Sequence, residues 1–168
     1  MDVCDECGFD FDKIRLDEIA PRMNAGVAQL VAELHASADP AHPIPALPPG
    51  RWSTLEYGAH VRDVMLTIRD RMVIGLVEDR ADFKPMYRDE RITLGLYRTD
   101  TVDAVSWELE VSAAMLLRLL AAIEIDQLAR LVRYGHPNPT DRSILWMAKQ
   151  AVHELEHHLS DTRENAQL

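Results

Sequence analysis

Apolar side chains recur every three to four residues in four long stretches, and loops rich in proline, glycine and polar residues separate them. The first stretch runs from about Lys13 to Ala38, with Ile14, Ile19, Val27, Leu30, Val31 and Leu34 on its apolar side. Pro21 predicts a kink or a late start within it. A connector from Ala38 to Gly50 holds five prolines, which exclude helix and predict an extended strap. The second helix opens at Ser53-Thr54-Leu55-Glu56, a capping-box pattern, and continues through Val61, Val64, Met65, Ile68 and Met72 to about Val77. A polar loop follows from Glu78 to Asp100, longer than most connections in compact domains. The third helix is expected from about Val102 to Leu131, and a turn from Tyr134 to Thr140 closes it off. The fourth is expected from about Asp141 to Asn165, carrying Ile144, Leu145, Met147, Val152, Leu155 and Leu159. No segment alternates with period two for long enough to predict a sheet. Four amphipathic helices of this length predict an all-α, four-helix bundle.

Composition is consistent with one ordinary domain. At 168 residues, 47% apolar and 27% charged, the chain can bury a core without disulfides or structural metal. The organisation expected is a Cys-x-x-Cys arm over residues 1–12 and a single bundle domain over 13–168. A net charge of −10, with no run of Lys or Arg, argues against nucleic acid or an anionic membrane surface as partner. The acidic start lacks the basic and apolar regions of a signal peptide, and no apolar stretch is long enough to span a membrane. The expectation is a soluble cytoplasmic protein. If the chain assembles, a two-fold homodimer is the expected form, because that is the commonest soluble oligomer.

The candidate chemistry centres on His153 and His157 in the last helix. Four residues at about 100° each bring the second imidazole within roughly 40° of the first, one turn along. Two neutral imidazoles so placed can grip one divalent ion, but two ligands do not make a site. His60, four residues before Val64 on the second helix, is the candidate third. The competing reading puts His153, His157 and His158 on a solvated charged face with Glu154, Glu156 and Asp161. His35, His42 and His136 fall in loops or near a helix end and read as surface residues. Glu56, Glu154 and Glu156 are near enough to orient an imidazole, with surface solvation as the default role for each.

Three further features remain. Cys4-x-x-Cys7-Gly8 has the form of a zinc-ribbon knuckle, yet no second Cys pair exists to complete a four-ligand site. It reads as a mobile redox pair, as half of a site shared between two chains, or as the arm where ordered structure ends. Trp52, Trp107, Trp146 and Tyr57 read as packing before pocket lining. Arg88-Asp89-Glu90-Arg91 offers guanidinium groups to an anionic ligand but reads first as a solvated loop, and Met65, Met72, Met115 and Met147 read as core filler.

Trp52-Ser53 before the second helix, His60 within it and His153-x-x-x-His157 on the last helix together resemble the DinB-like superfamily. The resemblance extends over nearly the whole chain in length and helix order; the Cys4–Gly8 extension departs from it. These metal-binding four-helix bundles include bacterial thiol transferases and the N-terminal domain of mycothiol-dependent maleylpyruvate isomerase. The resemblance implies His60, His153 and His157 as ligands of a divalent ion, zinc or nickel, with no ligand role for His158. It further implies that the ion activates mycothiol or another low-molecular-weight thiol for attack on a small-molecule electrophile, as an S-transferase or isomerase. The alternatives are a non-catalytic metal-binding or stress-associated protein and a plain helical interaction module.

Overall fold

The computed structural model describes residues 2–38 and 47–167. Helix α1 spans Leu16–Ser37, α2 Thr54–Val77, α3 Arg88–Thr93, α4 Val102–Ala122 and α5 Ile144–Asn165. The four long helices form a ring in the order α1, α5, α2, α4, so that α5 lies between α1 and α2. Ile19, Met23, Leu30, Met65, Ile68, Met72, Leu109, Leu116, Met147 and Leu155 are fully buried within the ring. Met115 is only half-buried, on the outer side of α4. Gly26 marks the close approach of α1 to α5, where a Cβ would stand 2.7 Å from the Leu155 side chain.

Local chemistry sets the helix limits. Ser53 Oγ accepts from the Glu56 amide at 3.2 Å while Glu56 accepts from the Ser53 amide at 2.8 Å, the reciprocal cap expected at the start of α2. Helix α1 begins at Leu16 and continues through Pro21. The proline-rich connector lies largely outside the described residues.

The structure differs from the sequence expectation in four places. Helix α4 stops at Ala122, because Ile123 is extended, and a 3-10 turn at Gln127–Ala129 follows. The expected continuation to Leu131 is replaced by a hairpin. Strands β1 (Leu131–Tyr134) and β2 (Thr140–Ser143) pair antiparallel, with Leu131 opposite Ser143 and Tyr134 opposite Thr140. Each strand has four residues, too short for a period-two signal, and Val132 is its one fully buried anchor. Helix α5 accordingly starts at Ile144, three residues late, with Ser143 Oγ accepting from the Trp146 amide at 3.0 Å. Inside the expected 78–100 loop lies the short helix α3.

That loop is tied down by a buried ionic network on α2. Asp63 accepts from Arg62 at 2.9 Å, from the Tyr97 hydroxyl at 2.8 Å and from Arg91. Arg62 also donates to Asp100 at 3.0 Å and Glu108 at 2.6 Å, joining α2, the loop and α4. Burial, reinforced by the facing Asp63 carboxylate, pushes the Tyr97 phenol up from 10.0 to about 12. The fold therefore favours the neutral phenol. Its contribution is fully present below pH 10 and is lost as pH rises towards 12. The unfolding midpoint of the native chain should fall steeply across that window, and thermal melts of Tyr97→Phe over the same range should show a shallower fall.

Candidate metal centre

Helix α5 presents two histidine-bearing faces. At about 100° per residue, His158 lies about 60° from Leu155 and Glu154 about 100° from it, at the edge of the core stripe. His153 and His157 lie about 160° from Leu155, on the side turned away from the bundle core. The expected trio is therefore divided. Ligand atoms of His60, Glu154 and His158 come within 4.8 Å of one another, while His153 and His157 gather in the same way with Cys4 and Cys7. His157, His158 and Asp161 make a third group that adjoins both.

In the first group, His60 is 2% exposed and its Nε2 stands 3.4 Å from Glu154 Oε2. His158 Nε2 faces the same oxygen at 3.5 Å. His158 Nδ1 lies 2.8 Å from Asp161 Oδ2, and an ionised carboxylate can only accept, so Asp161 holds the proton on Nδ1 and leaves Nε2 as the lone-pair nitrogen. Glu154 is oriented by Gln150, whose amide donates to Oε1 at 2.6 Å. Trp52 packs edge-on to His60, at 5.3 Å between ring centroids, and Tyr57 stacks on His158 at 5.2 Å. These two aromatics wall the histidines, whereas Trp107 is exposed on α4.

The electrostatics are those of a dry, mixed-charge cluster. Burial pushes the His60 imidazole below its ordinary range despite the pull of Glu154. For His158, burial opposes the charge, but Asp161 and Glu154 outweigh it and raise the imidazole. Burial also opposes ionisation of Glu154, yet facing His158 and His60 holds its carboxyl well below the usual range. Asp161 is likewise lowered, burial being outweighed by His158. His158 Nε2 and His60 Nδ1 are buried without a hydrogen-bond partner. Two imidazoles and a carboxylate, with a lone-pair nitrogen left unpaired, fit a divalent cation, and His2Glu is a donor set of catalytic zinc sites.

His60 and Glu154 open onto a cavity of about 300 Å³. Its wall includes Arg71, Phe83, Lys84, Met86 and Arg88, and the hairpin residues Tyr134 to His136. Arg88 thus faces the cavity, while Arg91 is engaged with Asp63. His136, read from sequence as a surface residue, stands in this wall.

In the second group, His153 stands with Cys4, Cys7 and His157, and both of its ring nitrogens and Nδ1 of His157 are buried without a partner. Sequence reasoning missed Glu154 and His158 as a pair. They repeat the four-residue spacing of His153 and His157 one position later, and the angular distance from Leu155 was the signal that separates the two pairs.

The chain belongs to the DinB superfamily, whose family model matches residues 20–161. Its fold is similar to that of YfiT from Bacillus subtilis, described as a probable metal-dependent hydrolase with an unusual four-helix bundle topology. The TM-score is 0.80 at 15% identity, over 92% of this chain and 87% of that one. The mycothiol-dependent maleylpyruvate isomerase is similar at a TM-score of 0.69 and 19% identity, over 91% of this chain and 62% of the isomerase. A histidine-to-alanine variant of that isomerase gives 0.67 and 20%. No curated protein matches the chain at a significant level. Among the described residues no helix is long and apolar enough to cross a membrane.

Asp161 and Gln150 act on the cluster through His158 and Glu154. Asp161→Asn should weaken zinc binding at His60, Glu154 and His158 by about 10- to 100-fold. Competition with a chromogenic chelator, in a Cys4→Ser/Cys7→Ser background that removes thiol ligands, measures this.

Proposed function

We propose that this chain is a metal-dependent enzyme in which His60, Glu154 and His158 hold a divalent ion, zinc or nickel, at the wall of the cationic cavity. The reaction proposed is attack of a low-molecular-weight thiol of the mycothiol type on a small anionic electrophile, as a transfer or an isomerisation. One observation carries the reading: two buried histidines converge on one carboxylate, with a nitrogen of His158 unpaired, at the edge of a cavity large enough for a small molecule. The fold likeness to a mycothiol-dependent isomerase supports the choice of a thiol.

When bound, such an ion supplies Lewis acidity and lowers the pKa of a thiol or water at an open position. The remaining work belongs to the chain's own side chains. Arg71, Lys84 and Arg88 supply positive charge that attracts and orients a carboxylate or similar group. Phe83, Met86 and Val64 offer apolar wall to the rest of the substrate and thin the water around it. Sulfur can attack only after its proton leaves, and His136 in the same wall offers an acceptor. Tyr57 and Trp52 keep the histidine side of the cluster dry.

The test pairs elemental analysis with thiol-dependent turnover over a panel of anionic and neutral electrophiles. The metal-loaded chain should consume thiol with anionic electrophiles, and His60→Ala should abolish turnover and lose the ion of this cluster. Lys84→Ala/Arg88→Ala should raise KM for anionic substrates about tenfold with a smaller change in kcat. Turnover that proceeds equally well without thiol would replace transfer by hydrolysis. A fully metal-loaded chain that turns over no member of the panel would favour a non-catalytic metal-binding protein.

A further inference from the structure

The N-terminal arm does not extend the bundle; it covers the face of α5 turned away from it. Phe9 and Phe11 are buried there and contact each other edge-on at 4.9 Å. Phe11 stacks on Trp146 at 5.1 Å, and both phenylalanines lie against the His153 ring, at 5.2 and 5.3 Å. Polar contacts fix the same register. Trp146 Nε1 donates to Asp2 at 2.6 Å, Arg142 donates to Asp2 at 2.7 Å, and Lys149 donates to the Phe11 carbonyl at 2.8 Å.

The arm thereby folds Cys4 to Cys7 into a knuckle directly over His153 and His157. The Cys4 amide donates to the Phe9 carbonyl, and the Gly8 amide donates to the Cys4 carbonyl, both at 2.9 Å. Gly8 completes the turn at φ +72°, where a side chain would be strained. One ligand atom from each of Cys4, Cys7, His153 and His157 lies within 4.8 Å of the others. A tetrahedral zinc ion with ordinary Zn–S and Zn–N bonds sets its ligands about 3.3–3.8 Å apart, inside that limit. Both ring nitrogens of His153 and Nδ1 of His157 are buried with no hydrogen-bond partner, and an ion there would take up the single lone pair each neutral ring offers.

We propose that Cys4, Cys7, His153 and His157 form a second, closed zinc site that pins the N-terminal arm to α5. This site is independent of the catalytic reading and shares no ligand with it. The spacings are Cys-x2-Cys and His-x3-His, and the four ligands fill the tetrahedron, leaving no position for substrate. The two thiols lose their protons on binding, so the neutral set Zn²⁺·2S⁻·2N forms with release of two protons per zinc. Desolvating a neutral centre is far less costly than desolvating a cation, in keeping with a structural role beside buried aromatics.

Three measurements test this on the full-length, reduced chain. Zinc content should be about two per chain in the native protein and about one in both Cys4→Ser/Cys7→Ser and His60→Ala/Glu154→Gln. Cobalt(II) loaded into the His60→Ala/Glu154→Gln variant should show thiolate-to-metal charge-transfer absorption. The thiols of that variant should react with a disulfide-exchange reagent about tenfold more slowly with zinc than after chelation. If instead that variant binds no zinc, gives no thiolate–cobalt band and has equally reactive thiols with and without zinc, the site does not exist. Because native sequence at all four ligands is kept in that variant, misfolding of a cysteine mutant cannot mimic the negative result. Loss of zinc confined to the His60 cluster would remove the catalytic reading and leave this site standing.

Discussion

Helix α5 must serve two neighbours at once, and the rotation of about 100° per residue decides how. Residues four apart share a face, so Glu154 with His158 and His153 with His157 form two pairs that diverge around the helix. One pair meets α2 and completes a cluster with His60. The other points away from the bundle core and would stand in water if nothing covered it. Phe9 and Phe11 on the arm make that outer face an interior one, and the partnerless imidazole nitrogens there acquire the cost of burial. From that one geometric fact follow the position of the arm, the separation of the two histidine pairs and the different donor sets of the two groups.

The irregular parts of the chain do most to shape the cavity beside His60. A bare four-helix bundle would close over His60 and Glu154 or leave them at an open groove. Here the 78–100 segment brings Phe83, Lys84, Met86 and Arg88 to one side and the hairpin brings Tyr134 to His136 to the other. Each is held by its own polar scaffold. The segment is fastened through Tyr97 and Arg91 to Asp63 on α2, and the hairpin through the Arg133 amide, which donates to the Ala81 carbonyl at 2.8 Å. Lys84 and Arg88 of that segment thus join Arg71 of α2 in a cationic lining, in a chain whose net charge is −10. Local arrangement, not overall charge, sets what the cavity attracts.

The four long helices were legible because each buries a continuous stripe, and burial at period 3.6 leaves a periodic trace in sequence. The hairpin left none. Four residues per strand, with one buried anchor at Val132, fall below the length at which alternation can be distinguished from a helix continuing past Ala122. His60 was legible as an inward-facing residue from its place beside Val64 and Ile68, and it joins the cluster with Glu154 and His158. The register on α5 was harder, because His153–His157 and Glu154–His158 have identical spacing and carboxylates on helices are usually solvated. What distinguishes them is the angle to Leu155 and Leu159, which puts His158 inward. The cysteines could not be assigned at all from the chain alone. Their partners lie almost 150 residues away in sequence, and only the docking of Phe9 and Phe11 brings them near.

The two groups differ in the property that separates catalysis from scaffolding. His60, Glu154 and His158 supply one negative charge and three donors, so a divalent ion there keeps net positive charge and room for another ligand, beside a cavity. Cys4, Cys7, His153 and His157 supply two thiolates and four donors, so an ion there would form a neutral centre with every tetrahedral position filled. Asp161 stands between them, 2.8 Å from His158 Nδ1 and 3.8 Å from His157 Nε2. A carboxylate so placed couples the two faces: any rotation of α5 that loosened the arm would also move the group that fixes the His158 tautomer. A closed ion on the outer face would therefore act on an ion at the open one by holding the helix in register. Under the proposed second site, that coupling is what a metal fastening would add to the packing of Phe9 and Phe11.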